Sequence, residues 1–465
     1  MNKISVRLAC VTNLALITLL WNTMTSASRA DSFDLLVSNY FGSSVQQIGD
    51  SGSNFTTLVP SGSGGLNLTT GVTIGPDGNV YVSSNTVNDE NPNGVGQVLQ
   101  YSPNGTFLSA FATLPDDYSP AVGGYIPAAP AHLQFYNGSL YVADNNGDSV
   151  EQFAVTKNPT TGALTAAASP TDAASGLYGA GSFTIAPNGD LYASSFAGPL
   201  YGDPAGSPPY VPAVVKVSNG VQTNFAYPAT DESGNTASPV SPLDPAGLLF
   251  VHNTLLVVDL EGNNILKYDA NGNYKGVFAT IPGPADVPNN FPSDLVLSPD
   301  GKSIYVAVLG DGNPMNPMDP NPTPDGKVLQ YSFTIDSDGL VQASGDPTTI
   351  ASGFAASSVA IGVRRGDLNL DGLVDAADVQ ALTRALANLS DFESLKQLTD
   401  QQLDTIADVN GDGKITNADL QALLVLLQNQ GGSSTASVPE PNAVALAGLA
   451  LAALGFHTRR RRSLK

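Results

Sequence analysis

One short unit recurs five times between residues 71 and 331, and no other feature limits the fold of this chain as tightly. Its fullest copies read Gly71-Val-Thr-Ile-Gly-Pro-Asp-Gly-Asn-Val-Tyr-Val-Ser83 and Ser293-Asp-Leu-Val-Leu-Ser-Pro-Asp-Gly-Lys-Ser-Ile-Tyr-Val306. The other three run Ala131 to Ala143, Phe183 to Ala193 and Ala246 to Val258. Each is followed by a further β-rich stretch: Gly96 to Phe107, Asp148 to Phe153, Ala213 to Val217, Asn264 to Tyr274 and Lys327 to Tyr331. Apolar alternation broken by Asp-Gly and Asn-Gly is the chemistry of tight hairpins, where the turn must tolerate positive φ. Four strands per unit, at roughly 40–60 residues per unit, suit propeller blades better than sandwich hairpins. Phe33-Asp-Leu-Leu-Val-Ser-Asn39 matches the second strand of a unit, and the missing first strand stands at the far end as Ser357-Ser-Val-Ala-Ile-Gly362. One blade shared between the two ends closes a ring and leaves no free sheet edge. The expected fold is therefore mainly β, a six-bladed β-propeller with a shared closing blade over residues 31–363.

The repeat, with its apolar strand, Pro-Asp-Gly turn and Tyr-Val-Ala/Ser strand, resembles the NHL and gluconolactonase-like propeller superfamily. The resemblance implies architecture and leaves the chemistry open, because propellers host both enzymes and binding platforms. A gluconolactonase-like metal site implies channel-facing Glu, Asn and Asp. The channel-facing strand starts are predicted at Val72, His132, Ser182 or Phe183, Ala246 or Gly247, Asp294 and Ser358, and no Glu is among them. Glu90, Glu151, Glu232 and Glu261 fall in turns or outer strands. His132 as a general base and Asp294 as a metal ligand are weighed against structural roles, since an Asp before a strand also satisfies backbone donors. Catalytic residues are left unassigned. Tyr178, Tyr201 and Tyr210 lie in Gly/Pro-rich insertions expected at the rim, where they could stack on a polysaccharide or protein ligand.

Past the repeats, one loop pattern occurs twice. Asp367, Asn369, Asp371, Asp375 and Asp378 place side-chain oxygens at loop positions 1, 3, 5, 9 and 12, with Gly372 at position 6. Asp408, Asn410, Asp412, Thr416 and Asp419 do the same around Gly413. A hard cation such as calcium wants several oxygens from one tight loop, and the glycine permits the sharp turn within it. Val379, Leu382, Leu386 and Leu389 follow the first loop at helical spacing, and Leu420, Leu423, Leu424 and Leu427 follow the second. Thr399-Asp-Gln-Gln402 reads as a capping box that starts a connecting helix burying Leu403 and Ile406. The pattern, with Asp at position 12 and no helix entering the first loop, resembles a type I dockerin. That resemblance implies two calcium ions held by these residues, backbone carbonyls from Leu373 and Lys414, and a cohesin-like partner. Positions 10 and 11, Ala376-Ala377 and Asn417-Ala418, depart from the Ser/Thr pairs of cellulosomal dockerins. An intramolecular calcium clasp remains the alternative. The module is expected over 364–430, close to the propeller because Val363-Arg364-Arg365 is a short junction.

The ends carry address signals. Lys3 and Arg7, an apolar run from Leu8 to Trp21 and a small-residue stretch ending at Ala30 read as a signal peptide over 1–30. Residues 431–437 read as a Gly/Ser linker. Over 438–465, Val438-Pro-Glu-Pro441, an apolar run over 443–456 expected as a helix, and Arg459 to Arg462 resemble the PEP-CTERM sorting signal. That signal implies an exosortase-type enzyme and secretion or envelope anchoring. The sole cysteine, Cys10, lies in the leader, so no disulfide framework or thiol nucleophile is available beyond it. Without the basic ends, which hold three and five positive charges, the formal charge of −22 becomes about −30. Such a body repels nucleic acid, which is set aside as a partner. The expected function is a secreted, envelope-sorted binding or scaffold propeller with a calcium-dependent assembly module. The competing expectation is a lactonase-type hydrolase or a polysaccharide-degrading component delivered by that module.

Overall fold

Each repeat forms one antiparallel sheet, and six such sheets follow one another round a ring. The computed structural model describes residues 33–430 apart from 50–51, 53–54, 86–93, 103–104, 120–123, 159–162, 178, 196–212, 227–244, 261, 283–289, 299–300, 311–323, 363–364, 370–373 and 397–399. The leader over 1–30, the linker, the tail over 438–465 and Tyr178, Tyr201 and Tyr210 lie outside the described residues.

Blade 1 holds Asp34–Asn39, Ser44–Gly49 and Thr56–Val59, and its innermost strand is Ala356–Gly362 from the other end of the ring. The closing strand pairs antiparallel with Asp34–Asn39, with Val37 opposite Val359. The expected shared blade is present. The innermost strands of blades 2 to 6 are Val72–Ile74, Pro130–Tyr136, Phe183–Ile185, Pro245–Val251 and Pro292–Leu297. In blades 3 and 6 the third strand is longer, Ser149–Lys157 and Lys327–Ile335. Its far half leaves the blade and pairs with a short extra strand, Leu164–Ala166 in blade 3 and Val341–Ala343 in blade 6.

The core lies between blades. Six apolar layers each join one sheet to the next, including one between blades 6 and 1 built from Val37, Tyr305, Val328 and Val359. The tyrosine of the repeat serves these layers. Tyr81 meets Phe135 of blade 3 edge-on at 4.7 Å, Tyr192 stacks on Phe250 of blade 5 at 5.3 Å, and Tyr305 meets Phe33 at 5.8 Å. A fully buried side chain of this size contributes roughly 1.5–3 kcal/mol. The hydroxyl of Tyr81 stays satisfied by donating to Asp77 in its own Pro-Asp-Gly turn, 2.9 Å, while Gln100 donates to both.

After the ring, the described residues hold four helices that form a separate small core: α1 (Ala376–Ala387), α2 (Leu389–Lys396), α3 (Asp400–Ala407) and α4 (Asn417–Gln430). Leu382, Leu403, Ile406 and Leu423 are buried together there. Two expected core positions are corrected. Leu389 is 36% exposed, because α1 stops at Asn388 and a new helix begins. Leu424 is 50% exposed, and the apolar stripe of α4 continues through Leu426 and Leu427 instead. The expected cap at Thr399 lies outside the described residues. A capping box is present at α1, where Asp375 accepts from the Ala377 N–H and Asp378 from the Asp375 N–H.

Candidate functional site

Two places concentrate polar side chains: the central channel of the ring and the paired loops of the helical module. The channel comes from the innermost strands. Bulges at Pro130, Pro245 and Pro292 break the pairing at the start of three of them. A bulge re-aims the side chains beside it. Aligning the six strands on their cross-strand partners puts Ser358, Gly71, His132, Ser182, Gly247 and Asp294 at one level, blades 1 to 6 in order. Gly71 takes the place expected for Val72, which is buried in the layer between blades 1 and 2.

His132 and Asp294 therefore stand on opposite blades, and their Nδ1 and Oδ2 are 3.7 Å apart. Oδ2 of Asp294 accepts from the Ser358 hydroxyl at 2.6 Å and the Val359 N–H at 3.2 Å, while Oδ1 accepts from the Leu295 N–H at 2.9 Å. His132 also meets the edge of Phe183, with ring centroids 5.1 Å apart. The two glycines let the neighbouring innermost strand approach closely. A Cβ on Gly247 would fall 2.7 Å from Asp294 Cα, and one on Gly71 would fall 2.2 Å from the Ala131 carbonyl oxygen. Elsewhere, a cavity of about 470 Å³ opens between blades 2 and 3, lined by Leu114, Ser149, Glu151, Asp172 and Ser175.

In the module, the two loops close in the same way. Asp378 accepts the N–H of Asn369 at 2.9 Å and of Asp375 at 2.8 Å, linking position 12 to positions 3 and 9. Asp419 accepts the N–H of Asn410 at 3.1 Å and of Thr416 at 2.7 Å, the identical pair of links. Both carboxylates are fully buried, and the position 1 residues Asp367 and Asp408 are each 2% exposed. In the second loop Asp408 accepts from the Asp412 N–H at 3.0 Å and the Gly413 N–H at 2.8 Å, and Asp412 accepts from the Lys414 N–H at 3.0 Å. Asp371 and Leu373 of the first loop lie outside the described residues.

Among the described residues, no group of three or more His, Cys, Asp or Glu converges on a single metal position. The donor set nevertheless fits calcium. It is all oxygen, it mixes carboxylate with Asn and Thr, and burying four carboxylates in so small a module is costly unless cations balance them. Lys157 of blade 3 is one such cation. Its ammonium lies 3.5 Å from Oδ2 of Asp408. Arg365 donates to the Asp77 carbonyl oxygen of blade 2 at 3.3 Å, so the module rests against the propeller as the short junction implied. Nothing in the sequence flags Lys157 as part of this site, apart from the unusual length of its strand.

Residues 365–427 match the dockerin type I domain, and residues 437–462 match the PEP-CTERM protein-sorting motif. The chain is a propeller protein carrying these two modules, and its sorting motif places it outside the cytoplasm, secreted or held at the envelope. No curated protein gives a match. Among solved structures the chain is similar to the nidogen/laminin complex, with 12% identity over 71% of this chain and 98% of that one and a TM-score of 0.42. It is similar to an oxidoreductase described as a glucose dehydrogenase from Thermus thermophilus, with 18% identity over 64% and 92% and a TM-score of 0.42. It is also similar to a protein described as a 6-phosphogluconolactonase from Bacteroides fragilis, with 14% identity over 72% and 99% and a TM-score of 0.39.

Proposed function

We propose that this protein is an extracellular binding propeller, held in an assembly by calcium-dependent docking of its dockerin module to a cohesin-type partner and delivered to the envelope by its C-terminal motif. The observation that carries this reading is the matched closure of the two loops by Asp378 and Asp419 within the segment that matches the dockerin domain. In it, Asp367, Asn369, Asp371, Asp375 and Asp378 hold one calcium ion, and Asp408, Asn410, Asp412, Thr416 and Asp419 hold the other, with the carbonyls of Leu373 and Lys414. Calcium supplies charge balance for the buried carboxylates and part of the folding free energy of the module. The exposed positions Ala376, Ala377, Asn417 and Ala418, at the starts of α1 and α4, then present a small, low-charge surface to the partner. The propeller contributes the ligand surface, with a polysaccharide or protein contacted by rim insertions. An exosortase-type enzyme reads the tail.

The test is calorimetric titration of calcium into the mature chain, followed by capture on immobilised type I cohesin modules with calcium and with chelator. Two bound calcium ions and capture abolished by chelator are expected. Absence of calcium binding overturns the reading.

A hydrolytic reading has one observation in its favour, the His132–Asp294 pair in the channel. An imidazole beside a carboxylate is suited to take a proton from a water that attacks the carbonyl of a lactone or ester. Lactone turnover lost in His132→Ala and Asp294→Asn would establish it. Turnover absent from the parent chain would exclude it for the lactones assayed.

A further inference from the structure

The second loop of the module faces the propeller, and two cations reach it, Lys157 from blade 3 and Arg365 from the junction. Ser149–Lys157 is three residues longer than the third strands of blades 2, 4 and 5, and its far half stands clear of the blade as a hairpin with Leu164–Ala166. Lys157 ends that extension. Its ammonium lies 3.5 Å from Oδ2 of Asp408, and its stem passes Gly413, with Nζ 3.4 Å and Cε 3.7 Å from where a Cβ on that residue would sit. Arg365 completes the contact. One guanidinium nitrogen donates to the Asp77 carbonyl oxygen of blade 2, and the other lies 3.1 Å from the corresponding point on Gly411. The loop is thus approached across Asp408, Gly411 and Gly413, which are its positions 1, 4 and 6.

We propose that the propeller and calcium act against each other at this loop, with Lys157 as the cation that opposes calcium at Asp408. The argument is electrostatic and rests on the calcium reading given above. Asp408 is 3% exposed at its side chain, and its carboxylate attracts Lys157 in surroundings that screen charge less than water does. A divalent cation held by Asp408, Asn410, Asp412, Thr416 and Asp419 neutralises that carboxylate and repels the ammonium. Calcium therefore loosens the module from blade 3, and the docked propeller weakens calcium binding by the same factor, because coupling between two binding events is reciprocal. Loading the second loop becomes the step that frees the face of the module nearest the propeller. The contacts of Lys157 fall on Asp408 and Gly413 of the second loop, so the two sites become unequal in the intact chain.

Calcium titrated calorimetrically into the intact mature chain at low ionic strength tests this, comparing the parent with Lys157→Gln and Lys157→Arg. The partly exposed position makes both variants compatible with folding. Lys157→Gln is expected to tighten one of two sites by about fivefold or more, the lower range of coupling between sites. Lys157→Arg, which keeps the charge, is expected to match the parent. Hydrogen exchange in the hairpin around residues 149–166 should rise on calcium addition in the parent and not in Lys157→Gln. Two sites with constants unchanged by Lys157→Gln overturn the coupling alone. No calcium binding by any of the three chains overturns the calcium reading as well.

Discussion

His132 and Asp294 reach across the channel from blades 3 and 6, and Nδ1 and Oδ2 come within 3.7 Å. The carboxylate is the better anchored partner. It holds the Ser358 hydroxyl and the Val359 N–H of the closing strand, so one side chain ties blade 6 to the strand that completes the ring. Asp294→Ala leaves both donors buried without an acceptor, at about 1–3 kcal/mol each. His132→Ala removes only an edge contact to Phe183 and one side of the crossing. Chemical denaturation should therefore show Asp294→Ala to be clearly the more destabilising of the two.

Ring closure makes a sharper demand. Ala356–Gly362 is the innermost strand of blade 1, and Phe354, Ala356, Val359 and Ile361 fill the layer between blades 6 and 1. A chain ending at residue 355 loses Ala356, Val359 and Ile361 from that layer and leaves Asp34–Asn39 as an unpaired inner edge. It is expected to aggregate or to lose cooperative unfolding, whereas a chain ending at residue 430 keeps it. Gel filtration and thermal unfolding followed by circular dichroism separate the outcomes.

Much of this was legible in the sequence because its determinants are local. Asp-Gly and Asn-Gly turns sit within ten residues of the strands they join, and the strand missing before Phe33 could be matched to Ser357–Gly362 by pattern alone. The oxygen spacing of the loops is equally local. What could not be read depends on closure. Opposition of His132 to Asp294 requires six strands in register, so Gly71 replaced Val72 at the channel once bulges and pairing were set. The contact of Lys157 with Asp408 spans 251 residues and follows from how far one hairpin projects. The stripe of α4 ran past Leu424 to Leu426 and Leu427 because Asp419, pinned in its loop by the Asn410 and Thr416 N–H groups, fixes the rotation of the helix.

The tyrosine in the layer between blades 2 and 3 gives a third expectation. Burial pushes the Tyr81 hydroxyl far above the usual phenol range, with the neighbouring Asp77 carboxylate adding to it, so the group stays protonated and donating. Tyr81→Phe keeps the ring contacts to Phe111 and Phe135 but leaves Gln100 and Asp77 without the hydroxyl between them. A loss of about 1–2 kcal/mol is expected from urea unfolding. Phe135→Ala, which empties the layer, should cost about 3–5 kcal/mol.

Part of the acid sensitivity can be assigned to a turn of blade 5. Burial pushes the Asp269 carboxyl up, but hydrogen bonds from Asn273, Lys275 and the Asn271 N–H outweigh it and hold the group down at about 2. A carboxylate depressed in the folded state stabilises it above the unfolded value, and that contribution disappears as pH falls through the folded one. The window is pH 4 to 2, from an ordinary carboxyl value of 3.8 down to the folded one. Asp269→Asn should be less stable than the parent by about 1 kcal/mol at a pH of about 6, after allowance for solvent screening. The difference should shrink towards zero by the acid end of that window in unfolding curves measured at each pH.

The two paired loops of the module give the most direct test of their own equivalence. Asp378 and Asp419 each accept the N–H of positions 3 and 9, so each carboxylate shapes its loop from position 12, the last position of the proposed calcium pattern. Neutralising either one removes charge that calcium would balance and leaves two loop N–H groups with a weaker acceptor. Asp378→Asn and Asp419→Asn are therefore expected to abolish one calcium site each, with similar losses of helicity in the module. A divergence is expected only in how the propeller responds. Lys157 touches the second loop, so losing calcium at Asp419 should leave the hairpin around residues 149–166 protected from hydrogen exchange, whatever the calcium concentration. Losing calcium at Asp378 should leave its calcium response intact. Equal exchange behaviour in the two variants would show that the loops are interchangeable and that the contact with blade 3 carries no signal.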